Sequence, residues 1–333
     1  MKVVRLGIAT AAFALLMGGA SAQTYNLTVA GYSPGGLVST IGAGLDKALN
    51  AAYPGSTVTY QTSSGGLANA MLLDQDKVPL GFVADTELAV ALKGEEPIPE
   101  PVTSLRMLLR PYAPGSRFQA TQVLANKDWA EENGIETFAD IAEKQPPMRI
   151  AVNRPGNLDG DVALASLAAI GVSPEDIEGW GGQVVRAASQ EMTSLMLDRR
   201  IDVVLFGISY NHPRVQEMAN GVDLLMLPMT EETAQQAADA MGAATCSFSA
   251  DEYDFLQSDT ASVCVGLNML ANESMDEETA YNVTKAIFEQ IDAYKSVHPL
   301  LQQAVTPETL AEGSGAPFHP GAERYLKEAG LMQ

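Results

Sequence analysis

Positive charge is scarce in this chain: 20 Lys and Arg face 41 Asp and Glu, a formal net charge of −21 at pH 7. Such an excess repels nucleic-acid phosphates and anionic lipid, and no basic stripe interrupts it, so neither partner is expected. Histidines number only three, His212, His298 and His319, scattered along the chain and each followed by proline. There is no G-x-S-x-G elbow, no H-E-x-x-H pair and no EF-hand loop. The dinucleotide turn G-x-G-x-x-G and the P-loop lysine are missing too. An enzyme, a metal centre and a bound cofactor are therefore not expected; an exported hydrolase-like enzyme using His212 or His319 is the alternative. Past residue 22 no apolar run is long enough to span a bilayer.

The chain does carry an N-terminal leader pattern. Lys2 and Arg5 precede an apolar run over residues 6–19, and Ala20-Ser21-Ala22 supplies small residues for cleavage. The run is short for a transmembrane helix, and an uncleaved anchor is the other reading. Cleavage before Gln23 predicts a periplasmic protein, with no lipid-bearing Cys at the cut. What remains is long enough for two domains with separate cores. In an oxidising compartment Cys246 and Cys264, the only two cysteines, either form a disulfide closing about twenty residues or stay buried as thiols.

Short β-rich runs alternate with helical ones, which predicts an α/β protein with parallel strands. Residues 25–31 and 56–62 read as strands, each followed by a glycine-bearing turn and a helix, and residues 79–83 as a third. Residues 104–112, broken at Pro114-Gly115, predict a first crossing between lobes. A second unit follows, with strands at 121–126, 148–152, 201–206 and 223–229 and helices between them. The apolar stretch 262–270 predicts the return crossing. The expected division is a leader at 1–22, lobe I at 23–111 plus 265–333, and lobe II at 112–264. Two α/β domains joined by hinge strands would turn their strand ends toward one cleft, where ligands of open α/β sheets bind.

Several residue types at those strand ends suit a negatively charged guest. Gly35-Gly36 and Ser64-Gly65-Gly66 place bare amides before helices, with Tyr32 and Ser39 beside the first pair; the glycines also suit plain tight turns. Arg154, near Asn157 and Asp159, offers a bidentate grip on a carboxylate or a surface pair with Asp159 or Asp161. Arg110 and Tyr112 would line the cleft floor, unless Arg110 pairs across the lobes. Asn69 reaches a ligand or bonds locally, Ser209 and Tyr210 end a strand, and Asp85 is placed to cap a helix.

The most specific string closes the chain: Pro317-Phe318-His319-Pro320-Gly321-Ala322-Glu323-Arg324-Tyr325. It resembles the terminal P-x-H-P-G-A-x-R-Y signature of the TAXI family, extracytoplasmic solute receptors of TRAP transporters. Gly35-Gly36, Gly66 with Asn69, Leu80-Gly81-Phe82-Val83, residues 202–207 and His298-Pro299 are similar to that family's segments in the same order. The chain departs from it at Leu37-Val38-Ser39 and at Gly156-Asn157-Leu158-Asp159. The resemblance implies a type II periplasmic binding fold; a monomer without enzymatic activity is expected. It also implies capture of a small carboxylate, such as glutamate or 2-oxoglutarate, for delivery to a sodium-coupled TRAP permease. A receptor presenting its solute to a signalling partner is a further reading.

Overall fold

The computed structural model describes residues 23–32, 37–155 and 157–333. The expected leader, and Gly35, Gly36 and Gly156, lie outside the described residues. The first sheet takes β1 (Asn26–Gly31), β2 (Thr57–Thr62), β3 (Leu80–Ala84), β4 (Leu105–Tyr112) and, from much later, β12 (Leu267–Asn272). Their order is β2-β1-β3-β12-β4. β1 pairs in parallel with β2 and β3, whereas β12 runs antiparallel between β3 and β4. The expected parallel pairing holds for β1, β2 and β3, and β12 makes the sheet mixed because the chain re-enters it from the cleft end. Alternate residues of β3 feed two cores: Leu80, Phe82 and Ala84 join Val29, Leu45 and Met269, while Val83 joins Ala30, Leu105 and Leu270.

The second sheet takes β5 (Ala120–Asn126), β6 (Arg149–Val152), β7 (Gln183–Arg186), β8 (Val203–Ile208), β9 (Leu224–Met226), β10 (Ala244–Phe248) and β11 (Thr260–Cys264). The order is β10-β11-β5-β8-β6-β7, with β9 also against β5. β8 splits the same way, Val203 and Leu205 to one core and Val204, Phe206 and Ile208 to the other. β7 and β10 have no counterpart in the sequence reading: both are short, polar-rich edge strands with little apolar signal. A disulfide joins Cys246 in β10 to Cys264 in β11, their Cα atoms 5.8 Å apart.

Two short crossings link the sheets. Residues 113–119, with a 3₁₀ turn at Pro114–Ser116, carry the chain from β4 to β5. Val265-Gly266 alone carries it back from β11 to β12, so the run expected as one strand over 262–270 is two strands in two sheets. The lobes also touch beside the hinge. Val162, Ala237 and Ala238, from helices of the second lobe, belong to the same apolar cluster as Leu267 and Tyr112. Among the described residues no helix is long and apolar enough to cross a membrane.

The terminal string docks against the first sheet. Phe318 bridges Met107 of β4 in parallel, and the His319 N–H donates to the Met107 carbonyl at 2.9 Å. His319 then caps the helix Pro320–Glu328 through Nδ1. A Cβ on Gly321 would lie 2.1 Å from the Glu277 carbonyl oxygen, so only glycine lets this helix close on Glu277–Glu289. Arg324 pairs with Glu277 and Glu278 over the Tyr281 ring, and Tyr325 packs edge-on to that ring. Every distinctive residue of the string has a packing duty.

Candidate functional site

The cleft corner of the first sheet is organised by Glu87, a residue with no place in the sequence reading. Helices Gly66–Asp74 and Asp85–Lys93 start there, after β2 and β3. The Gly66 N–H donates to Glu87 Oε1 at 2.7 Å, the Ala84 N–H to Oε2 at 3.3 Å, and the Tyr32 hydroxyl also to Oε2. Tyr32 in turn accepts from the Ala84 N–H at 3.0 Å. Glu87 is the third residue of its helix, where a glutamate reaches back to the cap, and here it satisfies a second helix start as well. Burial pushes its pKa up, against the hydrogen bonds from Tyr32 and the backbone. The same burial and the Glu87 charge lift Tyr32 well above its ordinary value.

The glycines there answer to that carboxylate. A Cβ on Gly66 would meet Glu87 Oε2 at 2.1 Å, and Gly65 has φ +137. Asn69 is buried and donates to the carbonyls of Phe82 at 2.8 Å and Gly31 at 3.3 Å, stitching its helix to β3 and β1. Ser64 is exposed, and Ser39 lies in the first turn of the helix Leu37–Ala52.

The hinge lies between the two corners. Asp85 does not cap its helix: its Oδ2 accepts from the Gly266 N–H at 2.8 Å and from Arg110, and its Oδ1 from Asn268 at 2.9 Å. Arg110 also reaches Glu312 at 3.0 Å and the Gly313 carbonyl at 2.8 Å, so it is buried and committed within the first lobe. A Cβ on Gly266 would fall 2.5 Å from the Arg110 guanidinium. The other crossing is tied in by the Val265 N–H, which donates to the Gln119 carbonyl at 3.0 Å.

The second corner gathers around Asp159, in the first turn of the helix Leu158–Ala169. Gln119 Nε2 donates to Asp159 Oδ1 at 2.6 Å, and the Tyr112 hydroxyl approaches Gln119 Oε1 at 3.4 Å. Burial raises Asp159 to about 6, with the Gln119 hydrogen bond opposing. Burial likewise pushes Tyr112 far up, reinforced by Asp159, Asp85 and Glu87. Gly207 of β8 backs the carboxylate, since a Cβ there would sit 2.6 Å from Asp159 Oδ1. Ser209, two residues on and 4 % exposed, has no hydrogen-bond partner for its Oγ among the described residues.

The remaining expected contacts lie elsewhere. Arg154 is exposed and pairs with Glu191 at 3.0 Å, the surface-pair reading with a different partner. Asn157 is exposed and caps the Asp159 N–H at 3.0 Å. Tyr210 stacks under the Arg117 guanidinium, 4.7 Å from its centroid, and Arg117 is gripped by Glu252. Those two residues line an interlobe groove of about 370 Å³ with Phe118, Leu300, Ala304 and Thr309.

The histidines have structural duties. His212, His298 and His319 each precede a proline that opens a helix, and each accepts at Nδ1 from the N–H two residues on, at 3.1, 3.2 and 3.3 Å. Accepting at Nδ1 fixes the neutral tautomer with hydrogen on Nε2. Among the described residues no group of His, Cys, Asp and Glu is placed to hold a metal ion.

Comparison with known proteins agrees with this architecture. Residues 29–330 match the model of the NMT1-like family. PhnD1 from Prochlorococcus marinus, solved in complex with methylphosphonate, superposes with a TM-score of 0.55 at 10% identity, covering 92% of this chain and 99% of that one. XAC2383 from Xanthomonas citri, solved bound to ATP, gives 0.50 at 14% identity, covering 92% and 97%. The fold is therefore the two-lobed α/β fold of periplasmic binding proteins.

Proposed function

We propose, from the premise that this chain belongs to the NMT1-like family, that it is an exported solute receptor closing two lobes over a small solute. Lobe I is residues 23–111 plus 265–333 and lobe II residues 112–264. The observation that carries the reading is the hinge: two sheets joined by residues 113–119 and by Val265-Gly266 alone, with strand ends meeting there. Such a linkage lets rigid lobes rotate about a few residues and shut on a ligand. The disulfide suits an oxidising compartment, in keeping with the leader pattern and a periplasmic location. That PhnD1 was solved with methylphosphonate and XAC2383 with ATP supports a small solute as the guest.

The terminal string favours a TRAP-type permease as the membrane partner and a small carboxylate as the solute. The receptor acts as a monomer without catalysis. The carboxylate is not seated on Gly66, whose N–H already serves Glu87. A thermal-shift screen of dicarboxylates and acidic amino acids tests this. A solute at 100 Kd raises stability by about 2.7 kcal/mol. Small-angle scattering should show a smaller radius of gyration with the same solute. A screen without any shift, or a shift without compaction, refutes the reading.

A further inference from the structure

We infer that Asp159 determines which solutes this receptor accepts, by taking a hydrogen-bond donor of the solute, a protonated amine or a hydroxyl, at the lobe II side of the cleft. The inference rests on the receptor reading above and deepens it. Among the described residues the Asp159 carboxylate accepts from one donor, Gln119 at 2.6 Å, where it is able to accept about four. Glu87, by contrast, is satisfied by Gly66, Ala84 and Tyr32 together.

A second observation converges on the same place. Ser209 Oγ is buried without a partner among the described residues. The paired ladder ends at Ala120 with Ile208, and Ser209 follows there, two residues past Gly207, whose Cβ direction meets both Asp159 Oδ1 and Gln119 Cγ. An under-used carboxylate and an orphaned hydroxyl thus lie at the same end of β8. Orphaned buried polar groups cost stability unless something arrives to satisfy them.

Charge decides the type of group. The charged groups acting around Tyr112, at this corner, are Asp159, Asp85, Glu87 and Arg110. Arg110 is spent on Asp85 and Glu312, so a solute carboxylate pointed at Asp159 would meet uncompensated repulsion, while a donor would be drawn in. Gln119 is the positioning residue, since its carbonyl is fixed by Val265 in the other crossing and its amide fixes Asp159. Engagement of Asp159 is thereby felt at the hinge.

The test uses the whole exported chain and calorimetric titration at pH 7.5 with succinate, malate and aspartate, which differ only in hydrogen, hydroxyl or ammonium at C2, and with the glutarate and glutamate pair. Malate, aspartate or glutamate should bind about 10- to 100-fold more tightly than the unsubstituted acid of the same length. In Asp159→Asn that preference should fall to within about threefold, with the unsubstituted acid bound at least as well as before. Equal binding of substituted and unsubstituted acids by the wild type overturns the inference and leaves the receptor reading standing. So does a uniform loss of affinity for all probes in Asp159→Asn, which marks a structural role. Binding of none of the five overturns both.

Discussion

Two carboxylates at helix starts, Glu87 and Asp159, have opposite surroundings and so opposite energetics. Glu87 meets several donors, whereas among the described residues the Asp159 carboxylate accepts from Gln119 alone, and burial raises it to about 6 from 3.8. With a folded pKa above the unfolded one, the folded state binds the proton more tightly. Below about pH 4 both states are protonated and Asp159 is neutral in the balance. As pH rises through 4 to 6 the unfolded state releases its proton first, and folding loses stability. Asp159→Asn should therefore be more stable than the wild type at pH 7, by on the order of 1–2 kcal/mol after allowance for solvent screening. The gain should vanish near pH 3.5. Denaturant titrations at both pH values check this, and a destabilised variant at pH 7 contradicts it. At this scale the sequence made Asp159, Tyr112 and Ser209 visible as polar residues at strand ends. Glu87 was not visible, because its role needs two helix starts, at Gly66 and Asp85, to be brought to one point.

Among the elements, strongly patterned ones were legible and weak edges were not. Glu231–Met241, one of the helices expected in the second unit, is capped by Thr230. Another of them, between the strands at 148–152 and 201–206, runs from Leu158 to Ala169 and is capped by Asn157. β10 escaped because its sequence, Ala-Thr-Cys-Ser-Phe, buries only Phe248 fully and is held at the sheet edge by pairing and the disulfide. His212 and His319 were the residues of the alternative enzyme reading, but the regularity of all three His-Pro pairs is that of helix starts: proline suits the first helical position, and imidazole Nδ1 serves as the cap. The terminal helix yields a prediction of its own. Gly321→Ala places a methyl against the backbone of Glu277, which cannot swing aside, and should cost about 3 kcal/mol. Urea denaturation with an unchanged m-value would read out that loss; a cost under about 0.5 kcal/mol would mean the helix re-docks freely.

For the whole molecule, the outline of two α/β lobes with a returning chain was readable from the alternation of runs, while the hinge's fastening was not. Asp85, Arg110, Gly266 and Gln119 are separated by up to 181 residues in sequence and become one network only through the crossings. The disulfide acts at this scale as well. It closes an 18-residue separation beside the returning crossing, and a Cys246→Ser, Cys264→Ser double variant should lose about 3 kcal/mol. An unaltered denaturation midpoint in the double variant, relative to the oxidised wild type, would show that β10 and β11 hold without it.

The docking of the last nine distinctive residues on β4 and on Glu277–Glu289 has a bearing on how relatives are sorted. That string is a chassis mark in this chain: its residues bolt the tail to the frame. On the inference drawn above, which substituent the cargo may carry is set in a different place, at positions 119, 159 and 209, so grouping relatives by those three residues should divide them by that substituent.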